Sequence, residues 1–264
     1  MRLGIRNGAV RPPKLFRAAA VVALLFTSAV ASAQAPAELI AKGDAFDQQH
    51  KPAEALEHYL PVEKAEPKNV PLLLKIARQY RHLMSTAPKR AEKVRLGNKA
   101  LDYAERAAAL APNDSEAQLS VAITHGKMIP YLGSKEQMQG SRKVKEGAER
   151  AIKLDPRNDL AWHTLGRWHL VMAEVGTLKR ALAQLVYGKM PSASLAEAAR
   201  SFEKALALNP NRLMHHIELG RTYAAMGRKA EARKHLQQGL AMRSVEHDDQ
   251  ETKRKGREIL AKLR

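Results

Sequence analysis

Four motifs, AEPKN (65–69), LAPND (110–114), LDPRN (154–158) and LNPNR (208–212), each bring a segment rich in Ala and Leu to a proline and follow it with polar residues. Proline has no N–H and its ring clashes with the preceding turn, so each motif stops one helix, and the Asn or Asp behind it can cap the next. A chain punctuated in this way must be built from helix–stop–helix units. The stretch from Asp159 to Asn211 holds one complete unit. Trp162, Leu165 and Gly166 mark its first helix, Ala198, Phe202 and Ala205 its second, and Pro210 closes it.

These residues fill the signature places of the 34-residue tetratricopeptide pattern, a pair of antiparallel helices that buries its apolar face against copies of itself. Counting outward by the same period gives five units, at 36–69, 70–114, 115–158, 159–212 and 213–246. A polar-faced helix over 247–264 then reads as the cap that an open-ended array needs. The eighth place of each unit holds a small residue, Gly43, Ala77, Ala122, Gly166 and Gly220 in turn, where the two helices of a pair must approach closely. Three units exceed the period. The second gains about eleven residues around Pro88-Lys89-Arg90, polar and basic, which read as a lengthened turn. The third gains about ten around MIPYLGSKEQMQGS, and the fourth about twenty. Within the last surplus Leu178, Leu182, Leu185 and Val186 recur at helical spacing until Gly188 and Pro191 end the pattern. The expected fold is all-α: a tetratricopeptide-like helical-hairpin solenoid of about five units with insertions and a C-terminal capping helix.

Arg2, Arg6, Arg11, Lys14 and Arg17 precede an apolar run from Ala18 to Val30 and the small-residue site Ala31-Ser32-Ala33, with no acidic residue before Gln34. That order reads as a signal peptide over 1–33, cleaved near Ala33, because the run falls short of the roughly 20 residues that a spanning helix needs. The expected address is therefore the periplasm or the exterior, with a retained anchor as the alternative. The chain has no cysteine, which excludes disulfides, thiolate metal sites and a lipid anchor at the cleavage site. Removing the five leader cations from the formal charge of +18 leaves +13 on the mature chain. In an exported protein such a balance points to acidic proteins, envelope polymers or anionic membrane headgroups, and away from nucleic acid.

No catalytic or metal-binding spacing stands out. Adjacent His215 and His216 point about 100° apart on a helix, and His163 and His169 share no face. The sequence has no H-E-x-x-H, no acidic cluster with metal spacing, no phosphate loop and no nucleophile elbow. The chain reads as a non-enzyme with no cofactor and no metal, its histidines serving at the surface or in packing. What remains is the concave face lined by the first helices. Arg78, Arg167 and Arg221 occupy one equivalent inward place in the second, fourth and fifth units, with Arg81 beside the first of them. A guanidinium fork suits carboxylates and phosphates, and a charge-assisted hydrogen bond contributes about 1.5 to 3 kcal/mol. These four are the candidate partner-binding residues. The alternative is that they pair with acids of neighbouring helices, Glu218 among them. Trp162 and Trp168 read as repeat core in preference to a ligand cage.

The segment LGRWHLVMAEVGTLKRALAQLVYGKMPSASLAEAARSFEKALALNPN, followed by LGRTYAAMGRKAEARKHLQQGLAM, resembles the regulator of microtubule dynamics family. There a tetratricopeptide-like domain carries a similar L-G-x-W segment, a Lys-rich insertion ending in a G-x-x-P-type turn, and an E-A-x-x-x-F-x-K-A helix. The resemblance is clearest over 159–242 and extends faintly back to Lys99. It implies an all-helical fold, a protein-interaction role and no enzymatic activity. Animal members of that family associate with microtubules, which an exported chain would not meet, so fold and adaptor role carry over and the partner does not. The expected function is a non-catalytic adaptor of the cell envelope that binds an acidic or extended protein segment in its groove. The alternative is a carrier of an anionic apolar ligand such as a phospholipid, with the Leu178 to Val186 stripe covering the groove.

Overall fold

The computed structural model describes residues 35–175 and 193–263. Among the described residues there are eleven α-helices and no strand. Ten of them form five consecutive hairpins: α1 (35–48) with α2 (Pro52–Ala65), α3 (Val70–Thr86) with α4 (Arg90–Leu110), α5 (Ser115–Met128) with α6 (Ser134–Leu154), α7 (Asp159–Glu174) with α8 (Leu195–Leu208), and α9 (Leu213–Ala225) with α10 (Lys229–Ala241). The last helix, α11 (Asp249–Lys262), lies on α9 and α10.

The closing motifs act as their chemistry requires. The side chain two residues after the proline accepts the N–H of the third residue of the next helix: Asn69 from Leu72 at 3.1 Å, Asp114 from Ala117 at 2.8 Å and Asn158 from Ala161 at 3.1 Å. The fourth motif departs from this rule, because Arg212 stands where the cap should be and makes no cap hydrogen bond.

The helix crossings are fitted by volume. A Cβ added at Gly43 would stand 2.3 Å from the Tyr59 ring, at Gly166 2.9 Å from Phe202, and at Gly220 2.7 Å from Leu236. In each of these hairpins the second helix therefore drives a large side chain into the space that glycine leaves. The other two hairpins hold alanine at that place, Ala77 and Ala122, both fully buried, and a Cβ added at Gly147 of α6 would stand 2.8 Å from that of Ala122. Glycine against a bulky group and alanine against glycine are two ways of filling one gap at crystal-like density. At the open end Ile217 takes the same role for the cap, since a Cβ on Gly239 of α10 or on Gly256 of α11 would meet its Cδ1 at 2.8 Å. Gly227, with φ +75°, makes the tight turn between α9 and α10.

One expectation needs correction. The surplus of the second unit does not lengthen a turn: only residues 87–89 lie between α3 and α4, and the extra residues extend the two helices. Lys, Arg, Glu, Ala and Leu all favour helix, and the extension places Met84, Ala87 and Leu96 in one core with Met128. Lys93 completes it by donating to the carbonyls of Met84 (3.1 Å) and Ser85 (2.9 Å), which the end of α3 leaves free. In the third unit the surplus divides between a 3-10 turn, Ile129–Tyr131, and the first turns of α6. The proposed stripe of the fourth unit, Leu178, Leu182, Leu185 and Val186 with Gly188 and Pro191, lies outside the described residues, as does the leader at 1–33. Among the described residues no helix is long and apolar enough to cross a membrane.

Candidate protein-interaction groove

The first helices lie side by side along the inner face, α3 on α5, α5 on α7 and α7 on α9. Across them runs the segment that joins α10 to α11, residues 242–248, here called the strap. Its far end is set by Asp249, a buried carboxylate that accepts the backbone N–H groups of Val245 and Glu246, both at 2.8 Å. Lys253 of α11 donates to the Met242 carbonyl at the near end.

Side chains from four of the five hairpins then converge on Glu246, His247 and Asp248, and Asp159 of the remaining one reaches them through Arg212. His247 lies against His82 of α3, with ring centroids 4.1 Å apart, and edge-on to His50 after α1 at 5.8 Å. Asp248 accepts from its neighbour His247 Nδ1 at 3.0 Å and pairs with Lys127 at the end of α5. Glu246 pairs with Arg212 at the start of α9, whose Nε also lies 2.9 Å from Asp159 at the start of α7. Burial works against the Asp248 carboxylate, but the His247 hydrogen bond and the Lys127 ammonium outweigh it and hold its pKa well below the ordinary carboxylate range. Burial lowers Lys127 in turn, and Asp248 only partly restores it. His82 is pushed down to about 3 by burial and by the neighbouring His247 and Lys127, so its ring is neutral.

Behind the strap lies a buried polar relay. Asp159 Oδ2 accepts from His215 Nε2 at 2.8 Å, which leaves His215 Nδ1 facing His163 Nδ1 at 3.0 Å. A carboxylate only accepts, so His215 Nε2 carries a proton, and the two facing Nδ1 atoms are joined by a single N–H. Burial lowers the His163 pKa well below its usual value. An imidazole oriented by a carboxylate is half of a proton relay, but here its other nitrogen meets a second buried imidazole in place of a nucleophile.

The four arginines singled out by the sequence are distributed among unequal roles. Arg81 is buried and donates to Ser120 Oγ (2.9 Å) and Thr124 Oγ1 (3.2 Å) of α5, so it joins two hairpins. Arg78 pairs with Asp47 of α1. Arg221 pairs with Glu174 at 2.6 Å and with Glu218 at 3.5 Å, while Arg167, half exposed, lies 3.9 Å from Glu218. Trp168 is buried, with Nε1 donating to Ser141 Oγ at 3.0 Å. Trp162 is half-buried and donates to the Pro156 carbonyl at 2.9 Å.

The sequence reading does not single out His82, Lys127 and Arg212. Their signal is positional. His82 and Lys127 hold equivalent places, one helical turn past the inward place that Arg78 fills in the second unit and Ile123 in the third, and Arg212 stands where the preceding motifs carry Asn, Asp and Asn. Among the described residues His82, His247 and Asp248 form the one group whose ligand atoms lie within 4.8 Å of one another. The two rings are tilted by 30°, and Lys127 already supplies a cation to Asp248, so the carboxylate of the group is answered by an ammonium of this same chain.

Hairpins of this construction, stacked with their first helices inward, define a tetratricopeptide-repeat protein. A solved structure of a thermophilic repeat protein of this class from Thermus thermophilus covers 86% of this chain and 100% of that one with a TM-score of 0.62, at 16% sequence identity. The chain belongs to the regulator of microtubule dynamics protein 1-3 family, whose model matches residues 39–264. Regulator of microtubule dynamics protein 1 of Mus musculus is 31% identical over 175 residues, 65% of this chain and 57% of that protein. Regulator of microtubule dynamics protein 3 of Xenopus laevis is 27% identical over 181 residues, 68% of this chain and 39% of that protein. The chain thus spans about half the length of the curated relatives it matches.

Proposed function

We propose that this protein is a non-catalytic adaptor of the cell envelope whose inner groove binds an acidic, extended segment of a partner protein. Fold and family both suggest protein interaction. The observation that carries the acidic preference is the set of cations turned to the inner face, Lys127 and Arg212 with the half-exposed Arg78 and Arg167, each answered by a carboxylate of this same chain. A groove that has to recruit its own carboxylates to balance its floor favours carboxylates from elsewhere. The export reading rests on the basic, apolar and small-residue order of residues 1–33, and sequencing of the mature N-terminus tests it: a start near Gln34 is expected, and an intact Met1 end would contradict it.

The groove is tested in intact cells with a photo-crosslinking side chain placed at Arg167, on the inner helix α7, or at Lys204, on the exposed side of α8. A discrete adduct from Arg167 alone, with the attached segment rich in Asp and Glu, is the expected result. Identical adducts from both positions, or an attached segment without acidic residues, would remove the groove from the account.

A further inference from the structure

We infer that the groove already holds a ligand, its own strap, and that the partner competing for this place carries two carboxylates two residues apart, as Glu246 and Asp248 do. The inference deepens the proposed function and rests on it. The strap is held by groups that another acidic chain could satisfy equally well. Of its apolar side chains, Met242 at the end of α10 is partly buried and Val245 is 58% exposed, and the contacts of residues 246–248 with the inner helices are the Glu246–Arg212 and Asp248–Lys127 pairs and the His247 ring on His82.

The floor, by contrast, is not free to do without carboxylates. Lys127 is partly buried and otherwise donates only to Ser85 Oγ at 3.3 Å, and Arg212, an N-cap residue that makes no cap bond, has besides Glu246 only an Asp159 oxygen that it shares with His215. A desolvated Lys127 with no counter-charge and an Arg212 with only a shared one are costly, so the site selects a segment that supplies two anions at this spacing. The spacing follows from the fold, because Arg212 begins α9 and Lys127 ends α5, and residues 246–248 bridge them. The helices on either side of the strap stay packed when residues 246–248 lift, since α11 is docked by Gly256 on Ile217 and by Ile259, Leu260 and Leu263 in the core of the last hairpins. Displacement therefore costs the two ion pairs, the His247–His82 contact and the Glu246 N–H bond to Asp249, and leaves the hairpins intact.

An intramolecular ligand competes at an effective concentration in the millimolar range, so a free peptide meets a blocked site in the intact protein. The probe is a fluorescein-labelled peptide of residues 244–250, SVEHDDQ, titrated by anisotropy against the full chain, against Glu246→Gln/Asp248→Asn, and against that variant with Lys127→Gln added. The expected result is binding to the double variant at least about tenfold tighter than to the unmodified chain. The added Lys127→Gln should abolish the gain, as should a peptide with Gln and Asn at the acidic positions. Equal affinity for the unmodified chain and the double variant overturns the inference. Hydrogen exchange at residues 246–248 then says why: a strap already exchanging freely in the unmodified chain removes self-occupation alone, whereas a strap released by substitution with no peptide bound removes the acidic groove as well. Should the double variant not fold, Lys127→Gln alone reads the same contact from the opposite side, with exchange at Asp248 expected to rise at least about tenfold; unchanged exchange overturns the inference.

Discussion

The first helix of a hairpin shows two faces built by opposite means. Toward its own partner it is apolar and matched by volume, as where Gly166 receives Phe202 or Gly220 receives Leu236. Toward the groove it is polar and matched by charge, as where Lys127, Arg212 and His82 meet Asp248, Glu246 and His247. The first kind of contact joins residues within one unit and repeats along the chain. The second joins residues as far apart in sequence as His82 and His247 and is not repeated from unit to unit. The difference teaches that the repeat sets the shape of the array, whereas departures from the repeat set what its inner surface can hold.

That contrast can be attacked from the apolar side first. Phe202→Ala empties a fully buried site at a crossing, and chemical denaturation should show a loss of about 3–5 kcal/mol; a loss of under about 1 kcal/mol would mean the crossing is not tightly packed. The polar side is probed by pH. Buried His163 stays neutral, whereas in the unfolded chain it takes up a proton near the ordinary value of 6.5. The unfolded state therefore binds more protons in acid, and the stability from this residue is complete above pH 6.5 and declines below it. Between pH 7 and pH 5 the decline is about 2 kcal/mol for His163 alone, and His82, pushed down to about 3, adds to it in the same direction. Stability that is flat or rising from pH 7 to pH 5 would contradict the buried relay. Asn158→Ala removes a cap that the repeat supplies and should cost about 1 kcal/mol. Arg78→Ala, which breaks an exposed pair with Asp47, should fall within about 0.5 kcal/mol on thermal denaturation, while the same change at buried Arg81 should exceed it clearly.

The array was legible in the sequence because its causes are local. Proline stops a helix, Asn or Asp two residues later caps the next, and a small residue at the eighth place of each unit marks the crossing, although the bulky group that fills it, Tyr59 at Gly43 or Leu236 at Gly220, is seen only in the structure. Helix length in the expanded second unit was not legible, since Pro88-Lys89-Arg90 signals a turn without saying how far α3 and α4 run on either side of it. The strap was invisible for a deeper reason. Residues 242–248 carry no period, and their contacts depend on how tightly five hairpins wind, a sum of small rotations that no single position encodes. The arginines illustrate the limit. Equivalent places in the repeat gave Arg78, Arg167 and Arg221 equal prospects, yet each met a different neighbour, and the one residue that announced itself was Arg212, by failing to be a cap.

The central claim is that the strap lies across the inner face and touches hairpins from both ends of the array. Because the chain has no cysteine, a single spin label at Gln49→Cys, an exposed position beside His50, reports on it without background. The account predicts strong paramagnetic broadening of the amide signals of residues 246–248, although they are almost 200 positions away in sequence, and its relief in Glu246→Gln/Asp248→Asn. Amide signals of 246–248 that are unaffected by the label in the unmodified strap would contradict it.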